Sequence, residues 1–361
     1  MRVVVSAGGT GGHIYPALAI ISKIKETDKN SEILYIGTTD RMESKIVPDK
    51  GINYVGIEMK GLNRKNIFKN IKVLSTYIKA KKKIKKVLVD FKPDIVLGIG
   101  GYITLPVVSV ASSLGIKTFI HEQNSIPGLS NRILSKKVNK IGVSLEDSIK
   151  YFDKDKTIFT GNPRSEEVIG IKPVLKSKYG LKNSKKLVLI VMGSLGSLTI
   201  NNKMKEILKT FKEKDYEVLF VTGKNYFEEY QKLEDIPSNV KIVPYLEDML
   251  SVMKKTDLII TRAGASTIAE ITAIGLPSIL IPSPYVTHNH QYKNALVLEK
   301  HGAGIIVEEE KLSSEILLKT IDEILKDSKK YDIMKKNSET LGVKNSASKI
   351  YEVIKSLVDE V

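Results

Sequence analysis

The chain opens with a hydrophobic run that stops at clustered glycines. Arg2 to Val5 leads into the glycine-rich turn Gly8 to Gly12, and from Ala17 to Ile24 apolar residues recur at helical spacing. This pattern predicts a buried strand, a turn and an amphipathic helix. Because a helix that starts at such a turn exposes main-chain amides, the unit predicts binding of a phosphate or pyrophosphate.

The same alternation of strand and helix continues along the chain and begins afresh near residue 187. Predicted strands are 33–36, 54–57, 94–99, 117–121, 187–191, 217–222, 240–243, 258–261 and 278–281, and predicted helices include 105–112, 128–136, 201–211 and 346–358. Such alternation is typical of a parallel sheet covered on both faces. We therefore expect an α/β chain of two doubly wound, Rossmann-like domains that face each other across a cleft. The domains are 1–163, completed by a last helix at about 342–361, and 164–341.

Composition narrows the class of protein. The chain has 361 residues, 42% hydrophobic and 27% charged, which suits two soluble globular domains. It has no cysteine, so disulfides, thiolate nucleophiles and cysteine-ligated metals are excluded. No signal peptide is evident, and no apolar run is long enough to span a bilayer. We expect a cytoplasmic protein.

Positive charge is concentrated in one segment. The formal net charge is +16, and residues 64–86 contain ten Lys or Arg with no Asp or Glu. Ile67, Ile71, Leu74 and Ile78 recur there at helical spacing, which predicts a basic amphipathic helix. Its lysines form either an ordinary solvated face or an attachment site for an anionic membrane surface. Nucleic acid is a third possible partner, but no recognised nucleic-acid-binding motif accompanies the charge, so binding to nucleic acid is not expected.

His13 is the titratable group of the first glycine turn. A neutral imidazole at the start of the helix can remove a proton from a hydroxyl, or it can serve only in a local hydrogen bond. The turn is not a dinucleotide fingerprint, because Ile14 stands at the third glycine position. Neither glycine turn is followed by the Gly-Lys-Ser/Thr of a Walker loop.

The second half has its own candidate site after the strand 258–261. Arg262 to Glu270 places small residues at a helix N-terminus, where amides can hold phosphate and Glu270 can bind ribose hydroxyls. Glu270 can instead simply favour the N-terminal end of the helix. His288 and His290 lie in a polar cluster suited to sugar hydroxyls. Alternatively the two histidines bind zinc, but no further histidine or cysteine cluster completes a zinc site.

Seven ordered segments together resemble the lipid II-forming members of glycosyltransferase family 28. They are residues 8–13, 100–102, 121–124, 161–164, 193–194, 263–270 and 291–295. The resemblance implies the GT-B fold. It also implies inverting transfer of N-acetylglucosamine from UDP-N-acetylglucosamine to the C4 hydroxyl of the acceptor in lipid I, during peptidoglycan synthesis. No cofactor and no metal are expected, and the implied location is the cytoplasmic face of the cell membrane.

The resemblance also implies residue roles. His13 is the first candidate for the general base, with His121 and Glu122 as further catalytic candidates, and Gly100, Gly101 and Tyr102 lie near the acceptor. The implied contacts with UDP-N-acetylglucosamine are Thr10, Gly11, Gly12, Asn124, Arg164, Ser194, Leu246, Ala265, Ser266, Thr267, Ile268, Ala269, Glu270 and Gln291. Alternatives from the same architecture are another GT-B transferase with a lipid acceptor and a UDP-N-acetylglucosamine 2-epimerase. A basic nucleic-acid-binding protein is the alternative without catalysis.

Overall fold

The computed structural model describes residues 1–59, 70–193 and 196–360, and of residues 70–75 only the main chain. The chain divides into two compact units. The first comprises Met1–Glu166 with Asn345–Val361, and the second comprises Glu167–Lys344. The sequence predicts domain boundaries at 163/164 and near 342.

The first unit is built on a parallel sheet of seven strands in the described part of the chain, in the order β3-β2-β1-β4-β5-β6-β7. The strands are β1 (Arg2–Ala7), β2 (Glu32–Thr38), β3 (Asn53–Ile57), β4 (Ile95–Gly100), β5 (Lys117–Glu122), β6 (Lys140–Val143) and β7 (Thr157–Phe159). The helices are α1 (Gly11–Thr27), α2 (Glu43–Ile46), α3 (Asn70–Phe91), α4 (Thr104–Ser113), α5 (Leu129–Leu134) and α6 (Arg164–Glu167). Successive residues of β1 enter different cores: Val3 and Val5 pack on one face of the sheet and Val4 on the other. Burial on both faces explains the unbroken valine run.

The second unit repeats this plan with six described parallel strands in the order β10-β9-β8-β11-β12-β13. The strands are β8 (Lys186–Val191), β9 (Tyr216–Val221), β10 (Val240–Val243), β11 (Leu258–Thr261), β12 (Ser278–Leu280) and β13 (Gly304–Ile306). The helices are α7 (Leu198–Ile207), α8 (Phe227–Gln231), α9 (Met249–Met253), α10 (Ala265–Ile274), α11 (His290–Lys300), α12 (Ser314–Leu325) and α13 (Ser328–Leu341). The predicted α/β class with two parallel-sheet units is confirmed.

The last helix, α14 (Ser346–Asp359), returns to the first unit. Its Ile350, Ile354 and Leu357 are buried in the core that also contains Ile20 and Ile24 of α1. Glu166 ties its N-terminal turn by accepting hydrogen bonds from the main-chain amide and hydroxyl of Ser348, both at 2.7 Å. No helix of the described residues is both long and apolar enough to cross a bilayer.

Each sheet reverses its strand order at one place, which positions the candidate site. In the first unit the reversal lies between the neighbours β1 and β4, and in the second between β8 and β11. Loops leaving adjacent strands at such a point run to opposite faces of the sheet and open a crevice at the carboxyl ends of the strands. The two glycine turns singled out by the sequence, after β1 and β8, both lie at these reversals.

Candidate active site

In the first unit, two glycine turns lie side by side at the carboxyl edge of the sheet. The Gly8 amide donates a hydrogen bond to the Gly100 carbonyl oxygen at 3.1 Å. Gly101 has a φ of +92°, and a Cβ atom there would overlap the Gly8 carbonyl oxygen. Only glycine allows this approach. The structure therefore brings Gly8 to Gly12, the turn predicted to contact the sugar-donor substrate, against Gly100 to Tyr102, the turn predicted to contact the acceptor substrate.

His13 lies in the first turn of α1 with its ring against Gly100. Thr10 precedes the helix as its N-cap, and the His13 amide donates to the Thr10 carbonyl oxygen at 3.1 Å. The ring Nδ1 lies 3.1 Å from the Gly8 carbonyl oxygen. Because a carbonyl oxygen only accepts, a neutral ring in this contact carries its proton on Nδ1 and its lone pair on Nε2. The local hydrogen bond and the role of base, stated above as alternatives, are therefore compatible.

His121 is fully buried on β5, and both of its ring nitrogens have protein partners. Nε2 lies 3.0 Å from the Gly161 carbonyl oxygen and 3.2 Å from Thr160 Oγ1, and Nδ1 lies 3.0 Å from Gln123 Nε2. Burial lowers the pKa of His121 to about 4. A neutral ring with both nitrogens occupied is better suited to hold the end of β5 than to accept a proton from substrate.

The Glu122 carboxylate, only 2% exposed, organises the loop that carries Asn124. Oε1 accepts from the Asn124 amide at 3.0 Å, and Oε2 accepts from the Gly128 amide at 3.0 Å and Asn131 Nδ2 at 2.8 Å. These bonds close the loop between β5 and α5. Asn131, which the sequence did not single out, completes the arrangement.

Two residues of the segment after β2 lie beside these turns, and no pattern in the sequence marked either. The nearby Tyr102 hydroxyl raises the pKa of the exposed Arg41 further above its usual high value. The buried Glu43 accepts a hydrogen bond from the Gly9 amide at 3.1 Å. Both lie in a polar stretch that reads from sequence as an ordinary loop, so only the fold reveals their contacts.

Arg164 lies beside the first turn of α1. Its guanidinium carbon is 5.7 Å from the centre of the Tyr15 ring, and that ring is itself close to Gly11, where a Cβ atom would come within 3.1 Å of it. The Arg164 amide donates to Asn162 Oδ1 at 3.1 Å. The structure thus brings together Arg164 and the glycine turn, which are about 150 residues apart in sequence.

In the second unit, Arg262 ties together the loops that follow β8, β11 and β12. Nη2 donates to Ser197 Oγ at 2.8 Å, Nη1 donates to the Ile281 carbonyl oxygen at 2.9 Å, and Glu309 Oε2 lies 2.6 Å from Nη2. Both members of the ion pair are buried. Ser194, predicted to bind the diphosphate, lies outside the described residues together with Leu195.

Helix α10 starts at Ala265 directly after the Gly264 N-cap, as the small residues predict. The amides of its first turn lack acceptors within the helix and suit an anion. Glu270 is the sixth residue of α10 and is mostly buried. A carboxylate acts on the helix dipole chiefly within the first turn, so the sixth position disfavours that explanation for Glu270. The remaining predicted residues here, Ser266, Thr267 and Ala269, are half-buried.

Other residues of this unit that were predicted to contact UDP-N-acetylglucosamine bond to or pack against neighbouring parts of the chain. Gln291 Oε1 accepts a hydrogen bond from the Ser283 amide at 2.9 Å. Asn294, which was not among the predicted contacts, donates from Nδ2 to the Ala263 carbonyl oxygen at 3.2 Å. The Leu246 and Ile268 side chains are 2% exposed and share one core, so only their main chains remain for a ligand. His290 Nδ1 lies 2.9 Å from the Thr287 carbonyl oxygen. Among the described residues, no cluster of three or more potential metal ligands occurs.

Comparison with known proteins decides the family. Residues 3–143 match the glycosyltransferase family 28 N-terminal domain, and residues 187–352 match its C-terminal domain. A protein of Halalkalibacterium halodurans is 45% identical over 361 residues, which cover 99% of each chain. It is named UDP-N-acetylglucosamine--N-acetylmuramyl-(pentapeptide) pyrophosphoryl-undecaprenol N-acetylglucosamine transferase. The chain belongs to glycosyltransferase family 28.

Solved structures agree with membership in family 28. The crystal structure of Acinetobacter baumannii MurG is 26% identical and superimposes with a TM-score of 0.82, covering 98% of this chain and 99% of that one. A crystal structure of a UDP-N-acetylglucosamine 2-epimerase superimposes with a TM-score of 0.70 at 15% identity, covering 98% and 94%. At that identity the second match shows only a shared architecture. The predicted GT-B fold and the family 28 recognition are both confirmed.

Proposed function

We propose that this family 28 glycosyltransferase converts lipid I to lipid II. It transfers N-acetylglucosamine from UDP-N-acetylglucosamine to the C4 hydroxyl of N-acetylmuramic acid in undecaprenyl-pyrophosphoryl-N-acetylmuramyl-pentapeptide, a step of peptidoglycan synthesis. The observation that carries the proposal is the 45% identity, over 99% of both chains, to a relative named for this transfer. The glycine turns and helix N-termini at both sheet reversals support it, because both substrates carry a pyrophosphate.

In the second unit we assign the donor nucleotide to the loops around α10. The main-chain amides of Ala265 and the next residues of the first turn, with Ser194, hold the diphosphate, and the Glu270 carboxylate accepts hydrogen bonds from the ribose hydroxyls. The main chain at Leu246 contacts uracil and Gln291 contacts the sugar. The other members of this set are Ser266, Thr267, Ile268 and Ala269.

In the first unit we assign sugar and acceptor contacts. Thr10, Gly11, Gly12, Asn124 and Arg164 complete the binding of the donor, and Gly100, Gly101 and Tyr102 bind the acceptor. The Asn124 assignment is supported by the Glu122 carboxylate, which fixes the main chain and side chain of Asn124 at 3.0 and 3.3 Å. His121 and Glu122 then act by positioning this loop.

The chemical step is a single displacement. The acceptor hydroxyl oxygen attacks the anomeric carbon, the bond from that carbon to the UDP oxygen breaks, and the configuration inverts to a β linkage. His13 takes the hydroxyl proton on Nε2, the nitrogen opposite the Nδ1 that lies against the Gly8 carbonyl oxygen. Negative charge grows on the departing UDP, and the amides at the N-terminus of α10 stabilise it.

We infer that the chain binds the cytoplasmic face of the cell membrane as a peripheral protein, through the basic segment 64–86. Residues 64–69 lie outside the described residues. Helix α3 follows, with Ala80, Ile84 and Leu88 buried in the core and Lys81, Lys82, Lys85 and Lys86 exposed. Ile78 on the same helix is 52% exposed. Exposed lysines with an aliphatic side chain nearby suit anionic headgroups, where each lysine contributes about 1 kcal/mol.

The test is transfer of labelled N-acetylglucosamine to a short-chain lipid I analogue. We expect a product that depends on the acceptor, a strong preference for UDP-N-acetylglucosamine over UDP-glucose, and no loss of rate with a chelator. Formation of UDP-N-acetylmannosamine without acceptor would instead identify an epimerase. A preference for UDP-glucose would refute the donor assignment.

A further inference from the structure

Glu43 is a completely buried carboxylate beneath the glycine turn of the first unit. It lies at the start of the short helix α2, with 0% of its surface exposed. Oε2 accepts from the Gly9 amide at 3.1 Å, and Oε1 accepts from the Thr38 amide at 3.2 Å and from Thr38 Oγ1 at 2.7 Å. Burying a carboxylate is costly unless such donors surround it, so this site is built to hold one.

The space around Glu43 is closed by two glycines. A Cβ atom on Gly8 would overlap Glu43 Oε1, and one on Gly37 would come within 2.8 Å of Glu43 Cγ. A side chain at either position would therefore displace the carboxylate. Gly8, the first glycine of the motif, thus makes room for Glu43.

Two phenols complete the support around this carboxylate. The Tyr54 hydroxyl donates to the Thr38 carbonyl oxygen, and the Tyr35 hydroxyl donates to the Ala7 carbonyl oxygen at 3.0 Å. Burial raises the pKa of both tyrosines, and the charge of Glu43 raises it further. Both phenols therefore remain donors at neutral pH, which fixes the ends of β1 and β2 on either side of Glu43.

We propose that Glu43 is a positioning residue for the transfer reaction, acting through the Gly9 amide on the turn that carries Thr10 and His13. Gly9 has a φ of +89°, a conformation that a glycine turn leaves readily unless its main chain is held. The Glu43 bond holds that amide one residue before the N-cap of α1, and His13 lies three residues beyond the cap. Arg41, two residues before Glu43, lies near Tyr102 of the neighbouring turn. This inference rests on the proposed function.

The test compares Glu43→Gln with Asp94→Asn. Asp94 also accepts a main-chain amide, that of Arg2 at 2.7 Å, but it lies at the opposite edge of the same sheet. In Glu43→Gln the new NH2 group must face a donor, Gly9 or Thr38, so one hydrogen bond is lost. We expect kcat to fall about 10- to 100-fold, because a displacement of about 1 Å at a reacting group costs up to about 10² in rate. The affinity for UDP should change less than about twofold, since the assigned nucleotide contacts lie in the second unit.

Hydrogen exchange gives a readout that does not depend on activity. Peptides covering residues 6–14 should exchange faster in Glu43→Gln and unchanged in Asp94→Asn. If Glu43→Gln fails to fold, Thr38→Val removes one hydroxyl donor with little change of volume and should give the same pattern more weakly. Unchanged kcat with unchanged exchange would overturn the inference, as would equal losses of kcat and UDP affinity. If the wild-type protein is inactive in the transfer assay but exchange is faster in Glu43→Gln, the proposed function is wrong. Glu43 then still stabilises the turn.

Discussion

The buried ion pair between Arg262 and Glu309 offers a sharp test of how the second unit holds its loops. The Arg262 side chain is 10% exposed and that of Glu309 is 3% exposed, with 2.6 Å between Nη2 and Oε2. Glu309→Gln keeps the shape but removes the countercharge, and Arg262 cannot lose its proton. The variant therefore leaves an uncompensated cation in the interior, still bound to Ser197 Oγ and the Ile281 carbonyl oxygen.

The expected size follows from burial. Breaking a buried pair by removing one partner costs about 3–5 kcal/mol. For a unit the size of Glu167–Lys344, about 1 kcal/mol shifts the unfolding temperature by about 2–4 °C, so we expect a fall of about 6–20 °C. The control is Glu308→Gln in the adjacent position. Glu308 pairs with Lys311 at 3.0 Å on the surface, with the side chains 48% and 67% exposed, and a surface pair contributes about 0–1 kcal/mol.

The assay is thermal and urea unfolding of both single variants and of the double variant Arg262→Met/Glu309→Met. Apolar side chains of similar volume remove both charges, so the double variant should be more stable than Glu309→Gln despite carrying two changes. Equal unfolding temperatures for Glu308→Gln and Glu309→Gln would refute the reasoning. So would a double variant less stable than Glu309→Gln, because the loss would then come from packing.

Three further outcomes are expected. His13→Ala should lower turnover about 10²- to 10⁴-fold with little change in UDP affinity, and normal turnover would remove His13 from the mechanism. Changing Lys81, Lys82, Lys85 and Lys86 to Gln should weaken binding to anionic vesicles and reduce its salt dependence. The same change at the four lysines of α13 is the control and should have neither effect. Equal effects of the two sets would assign the lysines of α3 to another role. Burial lowers the pKa of His121 from 6.5 to about 4, so between these pH values the unfolded chain binds a proton at His121 and the folded chain does not. The free energy of unfolding should therefore fall by about 3 kcal/mol as the pH falls from about 6.5 to 4. A His121→Gln variant with the same pH dependence of unfolding would contradict this.

Elements with strong local patterns could be predicted from the sequence. Strands such as β1 and β11, buried on both faces, appear as apolar runs that end at glycine or small residues. The strands β6, β7 and β13, of three or four residues each, were not predicted. The equally short β12 was predicted because it lies in the apolar run 278–281. Helix boundaries also moved: α7 ends at Ile207, and the predicted continuation to Phe211 is a 3-10 turn. Short elements take their form from neighbouring strands and cores, which the local sequence does not contain.

The candidate site divides in the same way. Glycine turns and helix N-termini are local features, so the positions of Gly8 to His13 and of Ala265 could be predicted. The partners of a carboxylate depend on tertiary contacts. Glu43 and Glu309 were therefore not singled out, although each is more than nine-tenths buried against a loop of the site. Glu122 was singled out by resemblance, but its bonds to Asn124 and Gly128 show a contact network that the motif alone does not reveal.

These three buried carboxylates share one physical arrangement, and it bears on how the reaction is supported. Glu43 and Glu122 accept main-chain amides of loops, and Glu309 pairs with the arginine that holds a third loop. Substrates that carry pyrophosphate are best bound by oriented amides, and such amides act without reorganisation only if their loops are fixed beforehand. A buried carboxylate fixes a loop without presenting its own charge to an anionic substrate, whereas an exposed one would repel it. On this argument, replacing any of the three glutamates by glutamine should disturb the order of its loop and hardly change the electrostatic repulsion of the ligand. A gain in UDP affinity in one of these variants would show that the charge of that glutamate does reach the substrate.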